Sequence, residues 1–332
     1  MKMRAPFPWF GGKNKVAEII WEHFGDVANY VEPFAGSLAV LLQRPHEPRT
    51  ETVNDADCYL SNFWRALAHD PIGVAEWSDW PVNEADLHAR HVWLLSRSEF
   101  RERMMSDPDY YDVKVAGWWV WGQCAWIGSG WCDSKYYHLG DAGMGINRPS
   151  QQLPHLGNAG MGINRPSQKL PHLGNAGRGD VYDYFAHLSA RLRRVRVACG
   201  DWSRIVGDSV TWRHGVTGVL LDPPYAQDER QSDLYANDGD VSEDVRAWAV
   251  ENGDNPLLRI ALCGYAGEHD MPEGWLEVAW KNRGGYGSQG NTTGRENSSR
   301  ERIWFSPHCL GLRQRSLFDL PVAVESSAMD SR

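Results

Sequence analysis

The amino-acid sequence predicts an α/β protein built on a mostly parallel sheet. Three observations carry that expectation. Strand-like and helix-like stretches alternate over residues 5–67, they alternate again from residue 182 to residue 305, and in both regions turn residues stand directly behind an apolar strand. Residues 76–180 between them lack the alternation and read as an inserted domain.

Taken in order, the Gly11-Gly12 turn leads into a helix pattern from Lys15 to Phe24. A short strand at Tyr30 to Glu32 follows, then a glycine-containing turn, a helix from Leu38 and a second strand at Glu51 to Asn54. The insert carries two helix patterns, Glu84 to Met105 and Tyr110 to Ala125. Beyond it come a helix at Tyr182 to Arg194 and strands at Val195 to Cys199, Val216 to Leu221, Leu257 to Cys263, Leu276 to Trp280 and Arg302 to Phe305. The polar segment after Arg313 reads as a tail.

The insert also holds a repeat. HLGDAGMGINRPSQQLP at 138–154 matches HLGNAGMGINRPSQKLP at 155–171 in 15 of 17 positions, and a partial third copy occupies 172–179. Each unit offers few sizeable apolar groups between its glycines and prolines, so stacked copies could bury little core. The expectation is an extended loop array. Trp118, Trp119, Trp121, Trp126 and Trp131 cluster in the same insert and read as its small core rather than as a DNA-stacking surface.

Composition narrows the function classes. With 332 residues the chain has length for about two domains, and no apolar run approaches the ~20 residues of a membrane span. The N-terminus turns to glycine and lysine before a signal-peptide core could form, which predicts a cytoplasmic protein. A net charge of −9 argues against coating nucleic acid by bulk attraction. It leaves room for local basic surfaces at Arg191, Arg193, Arg194 and Arg196, or over Lys281 to Arg302. The six cysteines show no C-x-x-C spacing and read as reduced structural thiols.

Four local signals carry chemistry. Asp222-Pro223-Pro224-Tyr225 follows the apolar strand Gly218 to Leu221, at the strand end where α/β sheets bind ligands. Its carboxylate and a proline carbonyl could accept the hydrogens of an amino group, and the Tyr225 ring could stack on a flat ligand. Tyr30-Val31-Glu32-Pro33-Phe34-Ala35-Gly36-Ser37 is a strand followed by a small-residue turn. Asp55 ends the next strand 19 residues after Gly36, near the ~20-residue offset of a ribose-binding carboxylate. The turn lacks G-x-G-x-x-G, which favours a nucleoside without a pyrophosphate. The weaker signals are Pro8-Trp9-Phe10-Gly11-Gly12-Lys13 and Cys199-Gly200-Asp201-Trp202.

In this order the motifs resemble the Dam-like, α-group DNA adenine-N6 methyltransferases, over about residues 5–67 and 195–310. The resemblance implies a Rossmann-like sheet that uses S-adenosylmethionine and no metal. Its catalytic domain would comprise 1–75 and 181–312, a mainly helical and loop-rich target-recognition domain 76–180, and a flexible tail 313–332. By that analogy Trp9, Lys13, Phe34, Gly36, Asp55, Asp201 and Asp222 contact the cofactor, and Asp222, Pro223, Pro224 and Tyr225 act on a flipped-out adenine. Leu38 departs from the family, standing where many members have a second glycine; it could begin the next helix and point away from the ligand.

Cytosine-N4 methylation is the alternative activity, because its amino group needs the same acceptors; Asp rather than Ser before Pro-Pro-Tyr favours adenine. A DNA-binding module with a decayed site is the alternative from another class. Double-stranded DNA is the implied partner, with a cognate restriction endonuclease as a further one, and the nucleoid the implied place of work. Gln314-Arg315-Ser316-Leu317-Phe318 resembles the Q-x-x-L-F peptide that docks on the replication sliding clamp, which implies contacts through Gln314, Leu317 and Phe318.

Overall fold

The computed structural model describes residues 3–9, 11–126, 131–132, 179–225, 238–280 and 300–311. The 17-residue repeats, apart from Gly179, the run 281–299 and the tail with its clamp-like peptide lie outside the described residues.

Among the described residues seven strands form one sheet: β1 Asn29–Glu32, β2 Thr50–Asp55, β3 Arg196–Cys199, β4 Thr217–Leu221, β5 Leu258–Tyr265, β6 Leu276–Ala279 and β7 Glu301–Phe305. Their order is β3-β2-β1-β4-β5-β7-β6. β1 to β5 pair in parallel, while β7 runs antiparallel between β5 and β6. The sheet is thus mostly parallel and Rossmann-like. Strands with both faces covered must be apolar throughout, and β4, Thr-Gly-Val-Leu-Leu, is buried at every position.

Alternation along each strand divides the core between the two faces. Tyr30, Leu220, Ala261 and Cys263 join one cluster, whereas Val31, Val219, Leu221, Ile260 and Leu262 join the other. The first face is covered by α1 (Ala17–Phe24) and α2 (Cys58–His69). Val245 and Ala249 of α8 (Asp238–Asn252) pack on the second.

α2 starts where Asp57 accepts hydrogen bonds from the Tyr59 and Leu60 amides, satisfying two donors that a helix start leaves free. Asp70 then ends α2 and caps α3 (Pro71–Ser78) through the Gly73 amide, with Pro71 in the first turn. The sequence reading had no helix at α3, although Asp-Pro is a recognisable start signal.

The single helix expected over Glu84 to Met105 is two: α4 (Glu84–Leu95) and α5 (Phe100–Ser106). The break falls at the polar run Ser96-Arg97-Ser98-Glu99, where the Ser96 hydroxyl bonds back to the Trp93 carbonyl. The helix expected from Leu38 is likewise reduced to a 3-10 turn, Leu41–Gln43. Leu38 has left-handed backbone, φ 59°, and Pro45 closes the other side.

α6 (Val113–Ala125) packs on α2, α3 and α4, and α7 (Gly179–Leu192) packs on α3 and α2. Trp119, Trp121 and Trp126 are fully buried, and they belong to the same cluster as Phe7 and Phe63. Tryptophans of the segment read as an insert therefore share a continuous core with the sheet face. Arg191 does not contribute a free basic surface, because both oxygens of the buried Glu51 carboxylate accept its hydrogens at 2.7 and 2.9 Å. No helix among the described residues is long and apolar enough to cross a membrane.

Candidate active site

β1 lies between β2 and β4, so the chain leaves β1 toward one side of the sheet and reaches β4 on the other. This reversal of strand order opens a crevice beyond the strand ends. A cleft, partly open to solvent, occupies it. It is lined by Trp9, Lys13, Phe34, Gly36, Asp55 and all of Asp222-Pro223-Pro224-Tyr225. Motifs distant in the sequence thus converge because their strands are neighbours.

The turn after β1 is held by its partners. The Gly36 amide donates to Asp55 Oδ2 at 3.0 Å, and the Asp57 amide donates to Asp55 Oδ1 at 3.0 Å. Asn54 donates to the Pro33 and Gly200 carbonyls, tying together the ends of β1, β2 and β3. Gly36 has φ 45°, and a Cβ there would come within 2.5 Å of the Trp9 indole. Only glycine fits both the backbone and the space. Leu38 accepts a similar backbone at a cost of about 1–2 kcal/mol, while its side chain is fully buried in the core and so points away from the cleft.

Opposite this turn, Lys13 is 3% exposed and donates to the Gly11 carbonyl at 2.7 Å and the Tyr225 hydroxyl at 3.0 Å. Its Nζ lies 2.8 Å from Asp222 Oδ1. Burial alone would lower the ammonium pKa, but Asp222, with Cys263 and Glu301 behind it, raises it above the ordinary lysine value. Asp222 Oδ2 has no partner among the described residues.

Tyr225 differs from the sequence expectation. Its ring is 7% exposed and meets Tyr265 edge-on at 4.5 Å. The ring still lines the cleft but is largely buried there, with Lys13, Asp222 and Glu301 around its hydroxyl. Asp201 also differs. It is exposed, does not line the cleft, and caps its own turn through the Ser203 amide at 2.9 Å. The next residue, Trp202, instead stacks on Phe34 at 6.2 Å.

Two groups at the site were missed in the sequence. Glu32 is 4% exposed, lines the cleft and accepts from Tyr30 at 3.0 Å. Burial pushes its carboxyl up to about 8; the Tyr30 bond works against this, and the charges of Asp222 and Asp55 add to it. Asp55 is pushed up to about 7 by burial and then by Asp57, against the Asp57 and Gly36 amides. Glu301 meets Tyr225 from β7. Glu32 stood within a recognised motif and could have been read as a site acid, whereas the role of Glu301 had no local signal.

Four carboxylates, Glu32, Asp55, Asp57 and Asp222, line the cleft with Lys13 as the cation beside Asp222. Crowded acids, among which burial raises the pKa of Glu32, Asp55 and Asp57, favour a ligand that brings hydroxyl donors or positive charge. S-adenosylmethionine brings both, with a sulfonium, an ammonium and ribose hydroxyls, and Trp9 and Phe34 supply apolar aromatic surface. The residues present fit the group.

Residues 9–115 match the family model of the D12 class N6 adenine-specific DNA methyltransferase. No curated protein matches the chain. The match spans the Lys13 loop, the Gly36 turn and Asp55, and the remaining cleft residues meet them on one Rossmann-like sheet. The match over residues 9–115 and the Rossmann-like sheet support a DNA adenine methyltransferase and are consistent with the Dam-like enzymes.

Proposed function

We propose that the cleft binds S-adenosylmethionine and that the enzyme methylates N6 of an adenine flipped out of duplex DNA at a specific sequence. The observation that carries this reading is the asymmetric setting of Asp222. One carboxylate oxygen is pinned by Lys13 at 2.8 Å, and the other has no partner among the described residues.

The N6 lone pair of adenine is conjugated into the ring, which makes the nitrogen a poor nucleophile. Asp222 Oδ2 and the Pro223 carbonyl accept its two hydrogens, so the nitrogen can pyramidalise and direct its lone pair outward. Pro223 and Pro224 fix the backbone and hold that carbonyl in place. Lys13 anchors the carboxylate so that its orientation is set before the base arrives. When bound, S-adenosylmethionine supplies the electrophilic methyl group. Asp55 and the Gly36 turn are placed to hold its ribose, and Trp9 and Phe34 to pack against its apolar surface. Extruding the base costs a few kcal/mol, which contacts outside the stack must offset.

In this reading residues 1–75 and 181–312 form the catalytic domain, residues 76–180 recognise the target and 313–332 form a tail. The packing of α6 on α2, directly after Asp55 in the chain, supports a recognition segment coupled to the cleft. The Gln314, Leu317 and Phe318 peptide supports docking on the replication sliding clamp of the cytoplasmic nucleoid. A pull-down with purified clamp comparing the native tail with a Leu317→Ala, Phe318→Ala variant tests that point; equal retention of both ends it.

The main experiment is transfer of a labelled methyl group to duplex DNA by Asp222→Asn, with cofactor affinity measured by calorimetry. The expected result is a loss of about a hundredfold or more in turnover, with a much smaller change in cofactor affinity. Near-native turnover would overturn the assignment.

A further inference from the structure

The Tyr225 hydroxyl sits among three polar groups, and hydrogen counting settles its direction. Lys13 has three ammonium hydrogens and three acceptors: the Gly11 carbonyl, the Tyr225 oxygen and Asp222 Oδ1. Tyr225 has one hydrogen and two carboxylate oxygens in reach, Glu301 Oε2 at 3.0 Å and Asp222 Oδ1 at 3.2 Å. Asp222 Oδ1 is already engaged by the lysine, so the shorter contact to Glu301 takes the hydrogen.

We propose that Glu301 is a positioning residue that turns the Tyr225 O–H away from Asp222 and so preserves Asp222 as an acceptor for the substrate amine. The proposal rests on the assignment of Asp222 given above. A carboxylate that accepts from several donors is a weaker acceptor for the next one, because each donor draws on the same charge. With Glu301 present, Asp222 carries the lysine bond alone. Without it, the phenol hydrogen has Asp222 as its remaining acceptor among the described partners.

The fold explains how a residue so far along the chain reaches the loop after β4. Glu301 opens β7, is 5% exposed and is the register partner of Tyr265 at the end of β5. Tyr265 meets the Tyr225 ring edge-on at 4.5 Å. The two paired positions thus hold one tyrosine, Tyr265 by its ring and Glu301 by its hydroxyl. Reversing β7 to antiparallel is what delivers its first residue to the end of β5 and so to the cleft.

The test compares single-turnover methyl transfer by wild type, Glu301→Met, Tyr225→Phe, the double variant and Asp222→Asn, together with cofactor affinity and melting. Methionine fills the volume without an acceptor. Glu301→Met is expected to slow transfer about tenfold with cofactor affinity unchanged, and the double variant is expected to match Tyr225→Phe, because Glu301 acts only through the hydroxyl. If Glu301→Met transfers at the wild-type rate, the proposal is overturned. It is equally overturned if the double variant falls below Tyr225→Phe by the same factor as Glu301→Met falls below wild type. Should Glu301→Met alone fail to fold, the double variant against Tyr225→Phe decides by the same criterion. An inactive Asp222→Asn with a fully active Glu301→Met defeats the role of Glu301 alone, whereas an active Asp222→Asn defeats both.

Discussion

Lys13 Nζ and Asp222 Oδ1, brought together from distant parts of the sequence, stand 2.8 Å apart in a site where the lysine is 3% exposed. The pair clamps the loop before α1 onto the loop after β4. It thereby couples the stability of the cleft to the orientation of the Asp222 carboxylate.

Breaking such a pair from one side is costly because the remaining charge stays in low dielectric. Lys13→Met is expected to lower unfolding stability by about 3 kcal/mol and to reduce methyl transfer, both read from urea denaturation and a turnover assay. The folded lysine pKa is raised above its unfolded value, so the contribution is fully present below about pH 10.4 and is lost as pH rises toward the folded value. Unchanged stability in Lys13→Met would show that the pair is not a clamp.

Leu38 offers a test in which two effects oppose each other. Its side chain is fully buried and its φ is 59°, so truncation costs about 2–5 kcal/mol while glycine relieves about 1–2 kcal/mol of backbone strain. Leu38→Gly and Leu38→Ala should both be less stable than wild type, with the glycine variant the more stable of the two. That reverses the usual order in regular structure, where alanine is better. Denaturation midpoints decide it, and an alanine variant that is the more stable would mean the turn carries no strain.

Glu32 links stability to pH. Its folded pKa of about 8 exceeds the ~4 of an unfolded glutamate, so the folded state binds the proton more tightly. Its contribution to stability is greatest below pH ~4 and falls as pH rises toward about 8, beyond which it is flat. Glu32→Gln removes the titration and keeps an oxygen for Tyr30. The melting temperature of Glu32→Gln relative to wild type should therefore climb between pH 5 and 8, and parallel curves would contradict the shift.

Much of the sheet was legible because burial writes itself locally. A strand covered on both faces must be apolar, as in Thr217–Leu221, and the turns behind Glu32 and Leu221 carry prolines and glycine that strands do not tolerate. All seven strands fell within a residue or two of their expected places. The helix expected over Glu84 to Met105 was misread because a polar break of four residues leaves the surrounding helical pattern almost unchanged.

The site separates in the same way. Asp222, Tyr225, Gly36 and Asp55 could be named from the sequence because each stands at a strand end beside turn residues. Their surroundings could not. The capping of its own turn by Asp201, the burial of the Tyr225 ring and the meeting of Glu301 with the Tyr225 hydroxyl depend on which strands pair and in which register. The sequence by itself determined the alternating α/β architecture and the residue types offered at the strand ends, since those follow from local burial and backbone preference. Only the tertiary structure decided which oxygen faces which donor, because hydrogen bonds and desolvation act at distances of about 3 Å between residues that the chain keeps far apart.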